Sequence, residues 1–247
     1  MKDLIRQTGG RLLARALSLR SRPYPFASGP VLVLAPHADD ETLGCGGLLA
    51  AKAERGQEAH VVFLTDSAGS PEAPVQPGQA ARRRAEALAA LAVLGVAGER
   101  ARFLDAPDGR LNRLSPAEST ALEGALVRVL QDIRPAEIFV PYLGGGSTEH
   151  DATTACARAA LARAGVAARV WEYPVWAWWD FRRLAGQLLR PRQNFRLTLG
   201  AHRARKRAAL ACHASQVAGS PPGGPALPAV LAALCTGPSE FYFLRQP

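Results

Sequence analysis

Apolar residues in this chain fall into two kinds of segment that take turns along its length. Short runs, VLVLA (31–35), AHVVFLTD (59–66), ARFLDAP (101–107), EIFVPY (137–142) and RVWEYPVW (169–176), have the length and the β-branched or aromatic content of strands, although Pro174 interrupts the last. The longer stretches between them, LLAAKAERG (48–56), QAARRRAEALAALAVLG (79–95), SPAESTALEGALVRVLQDI (115–133) and about 151–164, have helical composition. Gly95 is placed to stop the second of these, and Ser115 with Pro116 to cap and start the third. Alternation at this spacing predicts an α/β fold: a parallel sheet with helices on both faces. Ligands of such sheets bind beyond the carboxyl ends of the strands. Residues that follow strands, namely His37 to Glu41, Asp66, Asp108 and the loop LGGGSTEH (143–150), are therefore expected along one edge.

Composition narrows the class. A chain of 247 residues, 48% apolar and 21% charged, is that of an ordinary globular protein with one sizeable core. Its four cysteines form no CxxC and no close pair, which points to reduced thiols and a cytoplasmic protein. Arg15 and Arg20 interrupt the only leucine-rich leader candidate. Residues 208–239 lack Lys, Arg, Asp and Glu, but GSPPGGPALP (219–228) breaks that run, so no membrane-spanning helix is expected.

The net charge of +9 is uneven: residues 1–28 carry +5, residues 182–207 carry +9 and the remainder −5. The pattern reads as a basic N-terminal extension (1–28) on a mildly acidic domain (29–247). The two basic segments suit an anionic membrane surface or a phosphate-bearing substrate, and hence peripheral attachment at the inner membrane face; they equally suit solvated, arginine-rich helical faces.

The chemistry concentrates in PHADDETLGCGG (36–47). A glycine-rich turn after a strand can cradle phosphate, but three acids precede this one and the full GxGxxG spacing is missing, which disfavours a nucleotide. A cation fits better. His37 and Asp40, three apart in a tight turn, can converge on one ion and leave Asp39 free beside it. The third ligand must come from another strand end, and His150 is the candidate. Histidine with carboxylate suits Zn2+; Fe2+ and Mn2+ fit the same set.

PHADDE resembles the PHxDDE signature of the PIG-L/LmbE-like deacetylases, metal-dependent enzymes that remove acetyl groups from N-acetylglucosaminyl conjugates. LTD (64–66), the Arg83-x-x-Glu86 helix, PDGRL (107–111) and KRAALACHASQ (206–216) resemble further family features in the expected order. The resemblance implies a three-layer αβα sandwich with a Rossmann-like, mostly parallel sheet. It makes His37, Asp40 and His150 the metal ligands and Asp39 the general base, and it implies an N-acetylated amino-sugar conjugate as substrate. Arg83 and Asp108 match positions that contact the sugar. Ser147 stands where the family has a histidine, which leaves the general acid unassigned, and Glu149 stands for an aspartate, placed to orient His150. Glu41 is expected to brace the turn. Tyr142, with His213 as the other candidate, is expected to stabilise the oxyanion or contact substrate.

All four tryptophans lie in VWEYPVWAWWDF (170–181), immediately before the second basic segment. Sugar stacking, a membrane interface, a core or dimer contact and single-stranded nucleic acid all use such clusters. A non-catalytic module binding anionic ligands through 170–207 is the alternative reading. It gives the His/Asp/Asp set no role, and nucleic acid is the least favoured ligand. Oligomeric state is not legible.

Overall fold

The computed structural model describes residues 1–69, 77–217 and 227–245. In chain order the elements are α1 (Lys2–Arg20), β1 (Arg22–Pro23), β2 (Val31–Ala35), α2 (Asp40–Glu54), β3 (Ala59–Thr65), α3 (Gln79–Leu94), β4 (Ala101–Ala106), α4 (Pro116–Ile133), β5 (Glu137–Pro141), α5 (Thr148–Ala164), β6 (Arg169–Tyr173), β7 (Asn194–Thr198), α6 (His202–Cys212), α7 (Ala214–Val217), α8 (Ala229–Cys235) and β8 (Ser239–Arg245). The strands form one sheet in the order β1-β7-β8-β6-β5-β2-β3-β4. Only β8 runs antiparallel to its neighbours, β6 and β7. Chain order runs outward from β2 in one direction to β3 and β4. On the other side β2 pairs with β5, so the topological switch point lies between β2 and β5.

The apolar runs are buried on both faces, as strands of a covered parallel sheet must be. Val31, Val33 and Ala35 enter one core with Val61, Phe63, Phe139, Trp171 and Tyr173, closed by α1, α2, α3, α6 and α8. Leu32 and Leu34 enter the other with Val62, Leu64, Ile138 and Val140, closed by α4 and α5. Alternate residues of each strand thus serve opposite layers, which makes a three-layer αβα sandwich.

Several boundaries differ from those expected. α2 begins at Asp40 and α5 at Thr148, so the acidic turn and His150 sit in first helical turns. β6 ends at Tyr173, where Pro174 can donate no ladder hydrogen bond. Residues 182–207 do not form one helical face: 3₁₀ turns over Phe181–Leu189 lead to β7, a strand the sequence reading missed, and then to α6. The C-terminal strand β8 was missed as well, although Gly237-Pro238 marks a turn before it. Of the GSPPGGPALP break, residues 219–226 lie outside the described residues. Among the described residues, no helix is long and apolar enough to cross a membrane.

Residues 1–28 are packed into the same core as the rest. Leu13 and Leu17 of α1 are buried in it, and the Tyr24 hydroxyl donates to the buried Glu137 carboxylate at the start of β5 (2.5 Å). The Gly9-Gly10 pair, an apparent helix weakness in the sequence, permits close packing. A Cβ on Gly9 would lie 2.3 Å from the Phe181 ring, and one on Gly10 2.8 Å from Leu234.

Candidate metal centre and active site

The centre is built at the carboxyl ends of β2 and β5. After β2 the chain turns so sharply that Asp39 adopts φ 142°, a conformation in which an L side chain is strained. The turn is held from below by Glu41. Its carboxylate accepts the Asp39 N–H (2.9 Å) through one oxygen, and the Thr42 hydroxyl (2.5 Å) through the other. His213 Nε2 lies 3.1 Å from that second oxygen. The His37 backbone N–H donates to Asp40 Oδ2 (3.2 Å), which closes the turn. On the β5 side, Ser147 caps α5 by accepting the His150 N–H (3.4 Å), so the residue in the place of a family histidine has a local structural task.

Three candidate ligand side chains, His37, Asp40 and His150, meet between these elements, with one ligand atom of each within 4.8 Å of the others. His37 Nδ1 is 3.2 Å from Asp40 Oδ2, and His150 Nε2 is 3.2 Å from Asp40 Oδ1. His150 Nε2 is buried, and its contact with Asp40 is an ion-pair approach that is not aligned as a hydrogen bond. A buried nitrogen held against a carboxylate in this way can share a cation with it. Zinc–ligand distances of about 2.0–2.1 Å in a tetrahedron put neighbouring ligand atoms roughly 3.3 Å apart, close to the contact that each imidazole makes with an Asp40 oxygen. The other face of the imidazole supports this: His37 Nε2 lies 2.5 Å from Glu149 Oε2 and 3.1 Å from Asp108 Oδ1. An Nε2–H shared by two carboxylates fixes the tautomer that leaves Nδ1 free for metal. The group His37, Asp108 and Glu149 shares this imidazole, and one proton on Nε2 suffices to hold it together.

The electrostatics of the centre favour positive charge there. Burial works against the charged form of His37, yet hydrogen bonds to Asp108, Asp40 and Glu149 hold its pKa well above the usual value. Burial likewise opposes ionisation of Asp40, but His150 and His37 keep its carboxyl below the ordinary range. Asp39 behaves oppositely: burial and the neighbouring Asp40 charge push it up to about 8. Two adjacent carboxyls are thus driven apart, one ionised for binding and one able to take a proton near neutrality.

A cavity of about 260 Å³ opens onto this centre, lined among others by His37, Asp39, Asp40, Arg83, Asp108 and Trp176. Arg83 is buried, and its Nε has no hydrogen-bond partner. Glu149 also lines the cavity, but not every expected residue has the partner or the place expected of it. Glu149 meets His37 and the Leu111 N–H (3.0 Å), not His150, because consecutive helical residues point in different directions. The Tyr142 hydroxyl accepts from Gln187 Nε2 (3.0 Å), its ring packs on Phe243, and it does not line the cavity. His213 is fully buried and acts on the turn through Glu41, away from the cavity lining. Gln216, by contrast, lines the cavity and donates to Ala38 O (2.5 Å), a role the KRAALACHASQ motif contained without announcing it.

The glycines after the acids make no phosphate cradle. A Cβ on Gly44 would lie 2.2 Å from Tyr173, and one on Gly47 2.2 Å from Leu199, so they let α2 lie flat on its neighbours.

Comparison with known proteins places this arrangement. Residues 32–161, just over half of the chain, match the family described as PIG-L, GlcNAc-PI de-N-acetylase. A 1D-myo-inositol 2-acetamido-2-deoxy-alpha-D-glucopyranoside deacetylase from Mycobacterium sp. (strain KMS) is 30% identical over 171 residues, 60% of this chain and 53% of that protein. The chain thus spans about half the length of the curated relatives it matches. Among solved structures, an N,N'-diacetylchitobiose deacetylase from Pyrococcus horikoshii superposes with a TM-score of 0.61 at 22% identity, covering 85% of this chain and 79% of that one. A 4-carboxy-2-hydroxymuconate hydratase from Pseudomonas putida does so at 0.59 and 21%, covering 76% and 80%. These two likenesses show the fold alone.

Proposed function

The chain belongs to the PIG-L family, and from that premise we propose that it is a metal-dependent hydrolase removing an acetyl group from an N-acetylated amino-sugar conjugate. One observation carries this reading: the imidazoles of His37 and His150 converge on Asp40, with a high-pKa Asp39 beside them at the cavity wall. A hydratase shares the fold, so the fold does not select the reaction. Support for deacetylation comes from the match to the de-N-acetylase family and from the curated relatives, which act on a GlcNAc–inositol.

His37, Asp40 and His150 would hold the ion, and their mixed nitrogen and oxygen set favours zinc. When bound, zinc supplies Lewis acidity that lowers the pKa of water and polarises an amide carbonyl. The chain's own residues do the rest. Asp39 accepts the proton of the attacking water on its carboxylate and returns it to the leaving amine, a dual role that suits a site in which Ser147 is a helix cap and no histidine stands ready as acid. Glu41 and His213 keep Asp39 in its strained conformation. Glu149 and Asp108 hold His37 in one tautomer. Arg83 offers an unpaired N–H to a sugar hydroxyl or an anionic oxygen, and Trp176 an aromatic wall for a sugar ring. The four cysteines, all free thiols, suit a reducing compartment such as the cytoplasm.

Asp39→Asn tests the reading. Elemental analysis is expected to find one zinc per chain in both proteins, with release of acetate from N-acetylglucosaminyl-inositol by the unmodified protein and a loss of at least about 100-fold in the variant. Retained turnover in Asp39→Asn removes Asp39 as the base. Absence of metal from a folded, zinc-supplemented protein removes the whole proposal.

A further inference from the structure

The helix α1 carries leucines on two opposite faces. One face is spent on the core through Gly10, Leu13 and Leu17. At 100° per residue the opposite face carries Leu4, Thr8, Leu12, Arg15 and Leu19 in one stripe, with Met1, Ile5 and Arg11 along its edges. Leu4, Ile5, Leu12 and Leu19 are between 60% and 82% exposed. Single exposed leucines need no explanation, but a row of them along one helix marks a contact surface.

The surroundings of the stripe identify the occupant. Leu19, Arg20, Arg22, Pro191 and Arg192 line one shallow depression, and the Arg20 guanidinium donates to Leu188 O (3.0 Å) beside the exposed Leu189. The patch therefore continues from α1 onto the turns at 181–193 and gathers arginines from both basic segments. Asp180 pairs with Arg182 and Arg183, but Arg11, Arg15, Arg20, Arg22 and Arg192 have no ion-pair partner among the described residues. The only acid in residues 1–28 is Asp3, already paired with Arg6 at 3.2 Å, and residues 182–207 contain none. A second copy of the chain would bring like charge against like. Single-stranded nucleic acid would want exposed aromatic rings, whereas Trp171 and Trp178 are buried and the Arg6 guanidinium covers Trp179, 3.9 Å from the ring centroid. Aliphatic side chains interleaved with arginines fit a bilayer, which takes the first into its acyl boundary and the second at its headgroups.

We propose that the outer face of α1, extended by the turn around Leu189 and Arg192, docks the protein on an anionic lipid bilayer. The docking is peripheral, since α1 is anchored to the core by its other face. The docking face also lies near the proposed active site, since Arg6 lies on Trp179, three residues beyond the cavity-lining Trp176.

Co-sedimentation of the full chain with vesicles of phosphatidylglycerol and phosphatidylcholine, and with phosphatidylcholine alone, tests this. Binding is expected to the anionic vesicles and to fall about tenfold or more between 50 mM and 500 mM salt, as screening of several arginines requires. The triple variant Leu4→Gln, Leu12→Gln, Leu19→Gln changes only exposed positions and is expected to keep its far-UV spectrum while losing vesicle binding. So is Arg11→Ser, Arg15→Ser, measured independently. Equal binding to neutral vesicles, undiminished binding by the folded leucine variant, or a concentration-dependent dimer that this variant abolishes would each overturn the proposal, the last by making a second copy the occupant.

Discussion

At the scale of single residues, the centre trades stability for geometry at Asp39. Its φ of 142° costs about 1–3 kcal/mol in a non-glycine residue, and its carboxyl sits beside the ionised Asp40. Removing the side chain relieves both. Asp39→Gly is therefore expected to raise the midpoint of thermal unfolding while abolishing turnover, and a lowered midpoint would show that the turn is not strained. Glu149 makes a different contribution. Its carboxylate receives the proton of His37 Nε2 and the Leu111 N–H, so Glu149→Gln keeps the shape and loses the charge. Chelator competition is expected to show metal affinity reduced about 10–100-fold, with secondary structure intact.

Between elements, the acidic turn depends on a clamp far from it in sequence. Lys206 of α6 is fully buried and donates to Leu43 O (2.8 Å) and to Glu240 of β8 (2.6 Å). Glu240 in turn accepts the Gly47 and Leu48 N–H groups of α2 (2.7 and 2.8 Å) and the Tyr242 hydroxyl (2.6 Å). One ion pair thus pins α2, whose first turn carries Asp40, to α6 and to the sheet. Breaking a buried pair leaves an uncompensated charge, so Lys206→Met is expected to cost about 3–5 kcal/mol in urea unfolding. A ΔΔG below about 1 kcal/mol would show that water reaches Glu240. The chain has three lysines among 30 basic residues, and two of them, Lys52 and Lys206, are buried. A point charge on an apolar stem can be threaded to a single buried carboxylate more readily than a planar guanidinium can.

Over the whole molecule, the ligands of the proposed metal join the two halves of the sheet at its switch point, His37 and Asp40 from the β2 side and His150 from the β5 side. An ion there binds the folded chain and not the unfolded one, so it stabilises by mass action. Zinc at about 1,000 times its Kd is expected to add roughly 4 kcal/mol and to raise Tm by about 10 °C, while EDTA reverses the gain. The same addition to His150→Ala is expected to shift Tm little. An equal shift would place the ion elsewhere.

What could be read along the chain follows from where the forces are local. The alternation of β2, β3, β4, β5 and β6 with helices, the parallel sheet and the grouping of His37, Asp39, Asp40 and His150 at one edge all rest on apolar periodicity and on the rule that strand ends carry ligands. Both are properties of consecutive residues. The partners of Glu149, His213 and Tyr142 were not legible, since each is set by which side chain another element brings alongside. Glu149 faces His37, contributed 112 residues earlier, and His213 faces Glu41, 172 residues away. The Gly9-Gly10 pair and the glycines after the acids look alike in one dimension, as weak helix formers. Only the approach of Phe181, Leu234, Tyr173 and Leu199 shows why a side chain is excluded there. Charge was visible as a count but not as a place: α1 turns its leucines and arginines outward because Leu13 and Leu17 have a core to enter, and that core is assembled from strands and helices distant in the chain.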